Sequence, residues 1–470
     1  MGTHQPEDQL FNYQVNLEKR VRADHPLRRI AKVLDLSFVR PAVQQFYGNN
    51  GHVGTDPVIL VKMLLLLFLD DVASERELMG VIRERMDYLW FLGYGLDDEV
   101  PNHSVLSKAR ARWGQEVFQE LFVRTVQQCV AAGLVDNQRL HIDSSLVRAN
   151  AAGDSVVKAS AELIGALRAA YAQQEQKLEE RPGGPVNATH LSTSDPEASL
   201  THQPNQGTQL RYKHHRTVDD AHGVVSAVQT TTGQEGDAQQ LPGLVQQHEQ
   251  NTGMSVQRVV GDQHYGSAQN YRYCQSKQIN AHLGQAQSHT KGIFPVSAFA
   301  YEAEQDRYCC PAGHYLYYHN FKKDDQLIEY RIEDAALCSN CVLRASCTRA
   351  KNGRTVTRPI FSQLVEAGQQ QAQSVEARIS RAKRQHVMEG SFADASNNHG
   401  FKRARWRQLW RQQIQDWLIA AVQNLRILMR HSVRRPTQSP ILGWFLNLTA
   451  VSKGLRAVGF PVFPARHPTS

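Results

Sequence analysis

Apolar positions keep a helical period through the first third of the chain, turn to strand-like runs in the middle, and return to a helical period near the end. Leu27, Ile30, Val33 and Leu34 fall at helical spacing within residues 26–46. Residues 58–69 are almost continuously apolar, broken by Lys62, and Asp56-Pro57 before them reads as a cap and first turn. Ser74 with Glu77 three residues on is a capping box that opens the next helix. Pro101-Asn102-His103-Ser104 forms a turn before a helix carrying Lys108, Arg110 and Arg112, and Phe118, Leu121, Phe122, Thr125, Val126 and Cys129 make one apolar face. Residues 56–132 therefore predict a helical bundle. Short helices around such a turn resemble a helix-turn-helix, and a plain bundle fits the spacing at least as well.

Leu140, Ile142, Leu146 and Val147 predict a strand over 139–148 with Asp143 on it. An Ala- and Gln-rich stretch, 156–180, reads as helical, and 181–210, rich in Pro, Gly, Asn, Ser and Thr, as a surface excursion. Strands are then expected at 211–218 and 224–232 around the turn Asp219-Asp220-Ala221-His222-Gly223. A helix at 237–247, a strand at 255–260 ending in Gly261-Asp262, a helix at 269–277 and a strand at 279–283 follow. Such alternation predicts a mixed α/β sheet flanked by helices. Residues 290–360 interrupt it. From 361 to 431 the helical period returns, and Trp406, Leu409, Trp410, Trp417, Leu418, Leu425 and Leu428 should face a core. The divisions expected are a helical N-terminal domain (1–135), the first part of the α/β core (136–289), a Cys-rich insertion (290–360), a helical end of the core (361–435) and a basic irregular tail (436–470).

The length, 470 residues, suits two or three domains, and the balance of 53 Lys and Arg against 45 Asp and Glu leaves a net charge of +8. A basic surface favours an anionic partner such as nucleic acid. Met1 to Leu10 is polar and reads as no secretory signal. The apolar run at 58–69 is shorter than the roughly 20 residues of a membrane span, so no membrane partner is expected. The expected location is cytoplasmic and, in a bacterium, nucleoid-associated. Of seven cysteines, Cys309, Cys310, Cys338, Cys341 and Cys347 fall within 39 residues, which in a reducing compartment suggests metal before disulfide.

Three separated acids stand out. Asp143 lies on the first strand, Asp262 at the end of a later one, and Glu389 in a stretch, 378–411, with nine basic residues and two acidic ones. Open α/β sheets place ligand-binding residues at strand ends. Hard divalent cations take carboxylate oxygens, and two ions can clamp the attacking and leaving oxygens of a phosphoryl displacement. The basic residues around Glu389 would hold a nucleic-acid backbone. Asp219 and Asp220 fit the hairpin turn, Asp237 fits a helix cap, and Glu376 lacks comparable context. In the insertion, Cys338-x-x-Cys341 with Cys347 and Cys310 could supply four thiolates to a structural zinc, with Cys309 spare or exchanging with Cys310.

Several stretches together resemble the bacterial insertion-sequence transposases with a DDE catalytic domain. They are Asp56-Pro57 with its apolar helix, Ser74-Glu75-Arg76-Glu77-Leu78, Leu140-His141-Ile142-Asp143-Ser144-Ser145, Tyr212-Lys213-His214-His215, Val260-Gly261-Asp262-Gln263-His264-Tyr265-Gly266-Ser267, His386-Val387-Met388-Glu389-Gly390-Ser391-Phe392, and His399-Gly400-Phe401-Lys402-Arg403-Ala404-Arg405. The resemblance implies a ribonuclease-H-like core and a catalytic triad of Asp143, Asp262 and Glu389 holding Mg²⁺ or Mn²⁺. It further implies hydrolysis at the element's terminal inverted repeats, and attack of the freed 3′-hydroxyl on target DNA by a homodimer or larger assembly on double-stranded DNA. Lys108, Arg110, Arg112, Lys213, Arg384, Lys402, Arg403 and Arg405 are the expected DNA contacts. Ser396 and Gln385 stand where several relatives carry Lys and Arg. A catalytically inactive descendant acting as a DNA-binding repressor is the alternative.

Overall fold

The computed structural model describes residues 15–47, 54–158, 164–166, 187, 190–204, 206–284, 292–323 and 327–432. Its strands are β1 (Leu140–Arg148), β2 (Val156–Lys158), β3 (His190–Ser192), β4 (Ser199–Gln203), β5 (Gly207–Asp219), β6 (Val225–Thr232), β7 (Arg258–Gly261) and β8 (Asn280–Leu283). In the insertion are β9 (Ala300–Glu302), β10 (Arg307–Cys309), β11 (Tyr315–Lys322), β12 (Leu327–Ile332) and β13 (Thr355–Pro359).

β1 sits at the centre of a six-stranded mixed sheet in the order β4-β5-β1-β7-β8, with β6 also paired to β5. β1 is antiparallel to β5, and β7 is parallel to both β1 and β8. Alternation along β1 sends Leu140 and Ile142 to one face, where they join Leu241, Leu244, Val245, Val259, Tyr271 and Leu283 in a buried cluster under the helices Leu241–Thr252 and Ala268–Ser276. Each such side chain contributes about 1.5–3 kcal/mol on burial. His141 and Asp143 fall on the other face, which the helix Val375–Asn398 covers through Arg384, bonded to Asp143, and Lys383, bonded to Asp220.

The helix Leu409–Ser432 packs against the same face. Its buried side carries the predicted apolar stripe, with Leu418, Val422 and Leu425 inaccessible to solvent, but also Gln412, Gln415, Asp416 and Asn424. These polar groups are paired: Asn424 Nδ2 donates to the Val225 carbonyl at 2.9 Å, and Thr230 Oγ1 to Asp416 at 2.6 Å.

The N-terminal helices form as their caps dictate. Asp56 accepts from Val58 N at 2.9 Å ahead of the helix Pro57–Leu69, and Ser74 Oγ accepts from Glu77 N at 3.1 Å ahead of Glu75–Glu84. They are not set apart from the sheet, because the described residues from 15 to 428 form one compact unit. His399 bonds the Phe68 carbonyl at 2.6 Å and Arg405 pairs with Asp71 at 2.6 Å. Of the residues beyond 428, 429–432 are described and end the last helix.

Several expectations shift. Residues 156–158, expected to open a helix, form β2 and pair with β3, and the rest of that expected helix, 164–166 apart, lies outside the described residues. The excursion at 181–210 contains β3 and β4, and β4 pairs with the start of β5. Hydroxyl-rich segments carry little hydrophobic period, so their strand pairing was not visible in the pattern. The insertion is a five-stranded antiparallel sheet, β13-β12-β11-β10-β9, with its own core of Phe299, Tyr308, Leu316, Tyr330, Ile332 and Val356. Residues 1–10, read as lacking a secretory signal, and the tail from 436 lie outside the described residues. Among the described residues no helix is long and apolar enough to cross a membrane.

Candidate active site

β1 and β7 pair in parallel with Leu140 opposite Val259 and His141 opposite Val260. Carried two residues further, this register sets Asp143 beside Asp262, the residue that ends β7. Asp262 is fixed by its own turn, accepting from His264 N at 2.8 Å. The end of β8 closes tightly on that turn. Gly284 N lies 3.2 Å from the carbonyl oxygens of Gly261 and Asp262, and a Cβ on Gly284 would come within 2.5 Å of Gln263 N. A side chain at position 284 would push the Asp262 turn away from β1.

Asp143 is half-buried. It accepts from Arg384 Nη1 at 2.7 Å and from Ser144 N at 2.8 Å. Burial pushes its carboxyl above the usual carboxylate range; Arg384 opposes that and the neighbouring Asp262 adds to it. Across the β1–β5 pair, Asp143 stands opposite Arg216, which is wholly buried. Arg216 donates to Ser391 Oγ at 2.8 Å and to Gln423 at 3.0 Å, and its guanidinium lies over the Phe392 ring. It thereby ties β5 to both covering helices. Burial lowers its pKa to about 10, so it stays charged at neutral pH.

Glu389 occupies the helix Val375–Asn398 but not its buried side. At 100° per residue it lies well round from Arg384, Met388 and Ser391, and it is exposed. Gln385 Nε2 donates to it at 3.0 Å. The structure thus brings Asp143 and Asp262 together and leaves Glu389 outside that pair. Among the described residues no group of three His, Cys, Asp or Glu side chains is arranged to hold a metal ion. Of the rivals, Asp219 accepts from the backbone of Asn137 and Ala221, and Asp220 gathers Arg139, His141 and Lys383. Asp237 pairs with Lys213, and Glu376 with Arg258.

The basic residues expected on DNA divide in two. Lys108, Arg112, Lys402 and Arg403 are exposed, and Lys402 reaches Ser145 Oγ at 2.7 Å. Arg110 corrects the expectation. It is buried, pairs with Glu75 and stacks 3.8 Å over the Trp406 ring, so it does not face a phosphate. Arg405, Lys213 and Arg384 are likewise engaged with Asp71, Asp237 and Asp143. Leu106, Arg110 and Trp113 share one helical face, which was the available signal for Arg110. Arg216 was not singled out from the sequence, and only its place in a strand buried on both faces reveals it.

Residues 15–112 match the transposase domain (DUF772), and residues 309–429 match the transposase DDE domain. Two separate segments of the chain thus match transposase domain families. The DDE-domain match includes the five clustered cysteines and Glu389, with Asp143 and Asp262 upstream of it. No curated protein matches the chain. Two solved structures are distantly similar. One is a piggyBac transposase synaptic complex with hairpin DNA, at 12% identity over 92% of this chain and 86% of that one, with a TM-score of 0.28. The other is a Mos1 transposase paired-end complex with the left transposon end, at 13% identity over 52% and 64%, with a TM-score of 0.17.

Proposed function

We propose that this transposase binds the terminal inverted repeats of its own insertion sequence, cuts the DNA strand there and joins the freed 3′-hydroxyl to target DNA. The observation that carries the reading is the register of β1 on β7, which pairs Asp143 with Asp262 under the helix that carries Arg384 and Glu389. The mixed sheet, with an antiparallel pair followed by two parallel strands, supports a ribonuclease-H-like core.

The residues fit a hard divalent cation, Mg²⁺ or Mn²⁺. Asp143 and Asp262 offer carboxylate oxygens, and the repulsion that raises the Asp143 carboxyl is what a cation between them would relieve. Glu389 is the third ligand in this reading. When bound, the ions supply Lewis-acid stabilisation of the attacking and leaving oxygens. The chain's own part is binding and alignment. Lys402 and Arg403 follow the catalytic helix and face solvent, where they can hold the backbone beside the scissile phosphate. Lys108 and Arg112 offer a second basic surface. Arg384 neutralises Asp143 in the free protein and is the nearest base to pass to a phosphate. Paired ends require a homodimer or larger assembly on double-stranded DNA.

Glu389 standing apart from the two aspartates favours one other reading, a DNA-binding repressor that does not cut. A joining assay decides. Purified protein, a pre-cleaved inverted-repeat duplex with a free 3′-hydroxyl, and a supercoiled target plasmid with Mn²⁺ should give covalent end-to-plasmid products. Binding without joined product would favour the repressor.

A further inference from the structure

We infer that the insertion binds one structural Zn²⁺ through Cys310, Cys338, Cys341 and Cys347, and that this ion is what holds the segment 333–354 on its sheet.

All five cysteines of the insertion are free thiols. Four of them, Cys310, Cys338, Cys341 and Cys347, line one small cavity floored by Leu316 and Ile332. Cys309 does not line it. It belongs to β10, opposite Tyr315, with its thiol toward the Cys310 carbonyl. The structure therefore separates Cys310 from Cys309, which spacing alone left exchangeable.

The four thiols come from three pieces of backbone. Cys310 lies in the tight turn between β10 and β11, where Gly313 has a φ of +81°. Cys338 lies in the helix Ala335–Ser339 with Cys341 just beyond it, and Cys347 ends the helix Arg344–Cys347. Two sulfurs already accept backbone N–H groups, Cys310 from His314 at 3.3 Å and Cys341 from Leu343 at 3.4 Å. Such donors stabilise a thiolate and orient it, as groups hydrogen-bonded to a metal ligand do. Arg354 donates to the Cys347 carbonyl at 3.2 Å and so fixes the backbone that carries that thiol.

The segment from Glu333 to Arg354 joins β12 to β13 with almost no core of its own. Its two helices bury no side chain, and Val342 is 96% exposed. Backbone ordering costs roughly 1–2 kcal/mol per residue, and the apolar contacts that offset it are few, chiefly Cys338 and Cys347 against the insertion core and Leu337 and Leu343 at the cavity. Four thiols gathered in a segment so thinly packed supply the tie. Among the described residues no three such groups are yet drawn into a metal-holding arrangement, so the shell closes as the ion enters. Four thiols bind Zn²⁺ as thiolates at about 2.3 Å and release four protons to solvent. No electron is transferred.

The test uses the full chain, purified without chelator and analysed for metal by mass spectrometry. Wild type should carry about one zinc per chain. Cys341→Ser and Cys338→Ser should lose it, whereas Cys309→Ser should keep it. Asp143→Asn should also keep it, which separates this site from the cleavage reading. In the zinc-stripped wild type, Co²⁺ should give the intense visible bands of tetrahedral thiolate ligation. Proteolysis between 333 and 354 should speed up on stripping while the rest of the chain resists. Zinc-free wild type with a protected segment and no Co²⁺ spectrum would overturn the inference. So would equal zinc loss in Cys309→Ser and Cys341→Ser.

Discussion

Arg384 Nη1 donates to Asp143 Oδ2 at 2.7 Å, so a base of the covering helix sits on the acid of the central strand. One residue earlier, Lys383 reaches Asp220 at 2.7 Å. Adjacent bases thus clamp the helix to both sides of the β1–β5 hydrogen-bonded pair. In the proposed metal-dependent reading, a guanidinium bonded to Asp143 makes Arg384 both a tie and a competitor for the ion.

Replacing Arg384 by Gln should therefore separate two effects. Mn²⁺ binding to the DNA-free protein should tighten by a few-fold, because a competing positive charge is removed. Thermal stability should fall by about 1 kcal/mol with the lost charge-assisted bond. Isothermal titration and a melting curve read the two changes. Weaker metal binding in Arg384→Gln would mean that Arg384 supports the metal site rather than competing with it.

Asp143→Asn should leave binding to an inverted-repeat duplex within about two-fold of wild type and cut strand cleavage by more than about 100-fold, since even outer-shell partners of metal ligands cost 10–100-fold. A gel-shift and a nicking assay on the same preparation check this. Normal cleavage would remove Asp143 from the triad.

Arg110 and Arg112 are two residues apart and should behave oppositely. Arg110→Ala leaves Glu75 without its buried partner and uncovers Trp406, so a loss of about 3–5 kcal/mol is expected in urea unfolding. Arg112→Ala should change stability by less than about 0.5 kcal/mol. If Arg112 meets a phosphate, the same change lowers the slope of log binding against log salt by about one.

Stability should fall as pH drops from neutral. His248 is buried between Ser226 and Asn137, and burial lowers its pKa to about 4. The fold holds it neutral while the unfolded chain takes up a proton below about 6.5. Its contribution is thus complete above about 6.5, is lost as pH falls toward 4, and amounts to about 3 kcal/mol. Burial lowers His214 and His215 in the same direction. Asp195, raised to about 6 by burial, works in the opposite sense, gaining stability as it protonates. Urea midpoints from pH 7 to 4 should fall in wild type and fall less steeply in His248→Gln.

Much of the scaffold was legible because it rests on local rules. The caps at Asp56 and Ser74, the hairpin turn at Asp219–Gly223 and the strand ending at Asp262 each announce themselves within a few residues. The two acids were legible as strand residues, but their adjacency comes from the parallel pairing of β1 with β7, which no local pattern specifies. What was hidden depends on long-range partners. Whether Arg110 meets solvent or Trp406 is decided almost 300 residues away. Arg216 reads as one base in a polar run until β5 is covered on both faces. The position of Glu389 round its helix follows from packing that no local pattern specifies.

The central claim is that Asp143, Asp262 and Glu389 act together on DNA through divalent metal. It is tested most directly by cleavage of a labelled duplex carrying the element's own ends, with Mg²⁺ or with EDTA, by wild type and Glu389→Gln. The account predicts nicking at the element boundary in wild type with Mg²⁺, none with EDTA, and none in the variant despite unchanged end binding. Metal-dependent nicking that survives Glu389→Gln would remove Glu389 from the catalytic set. Tight end binding with no nicking by wild type in Mg²⁺ would contradict the claim as a whole.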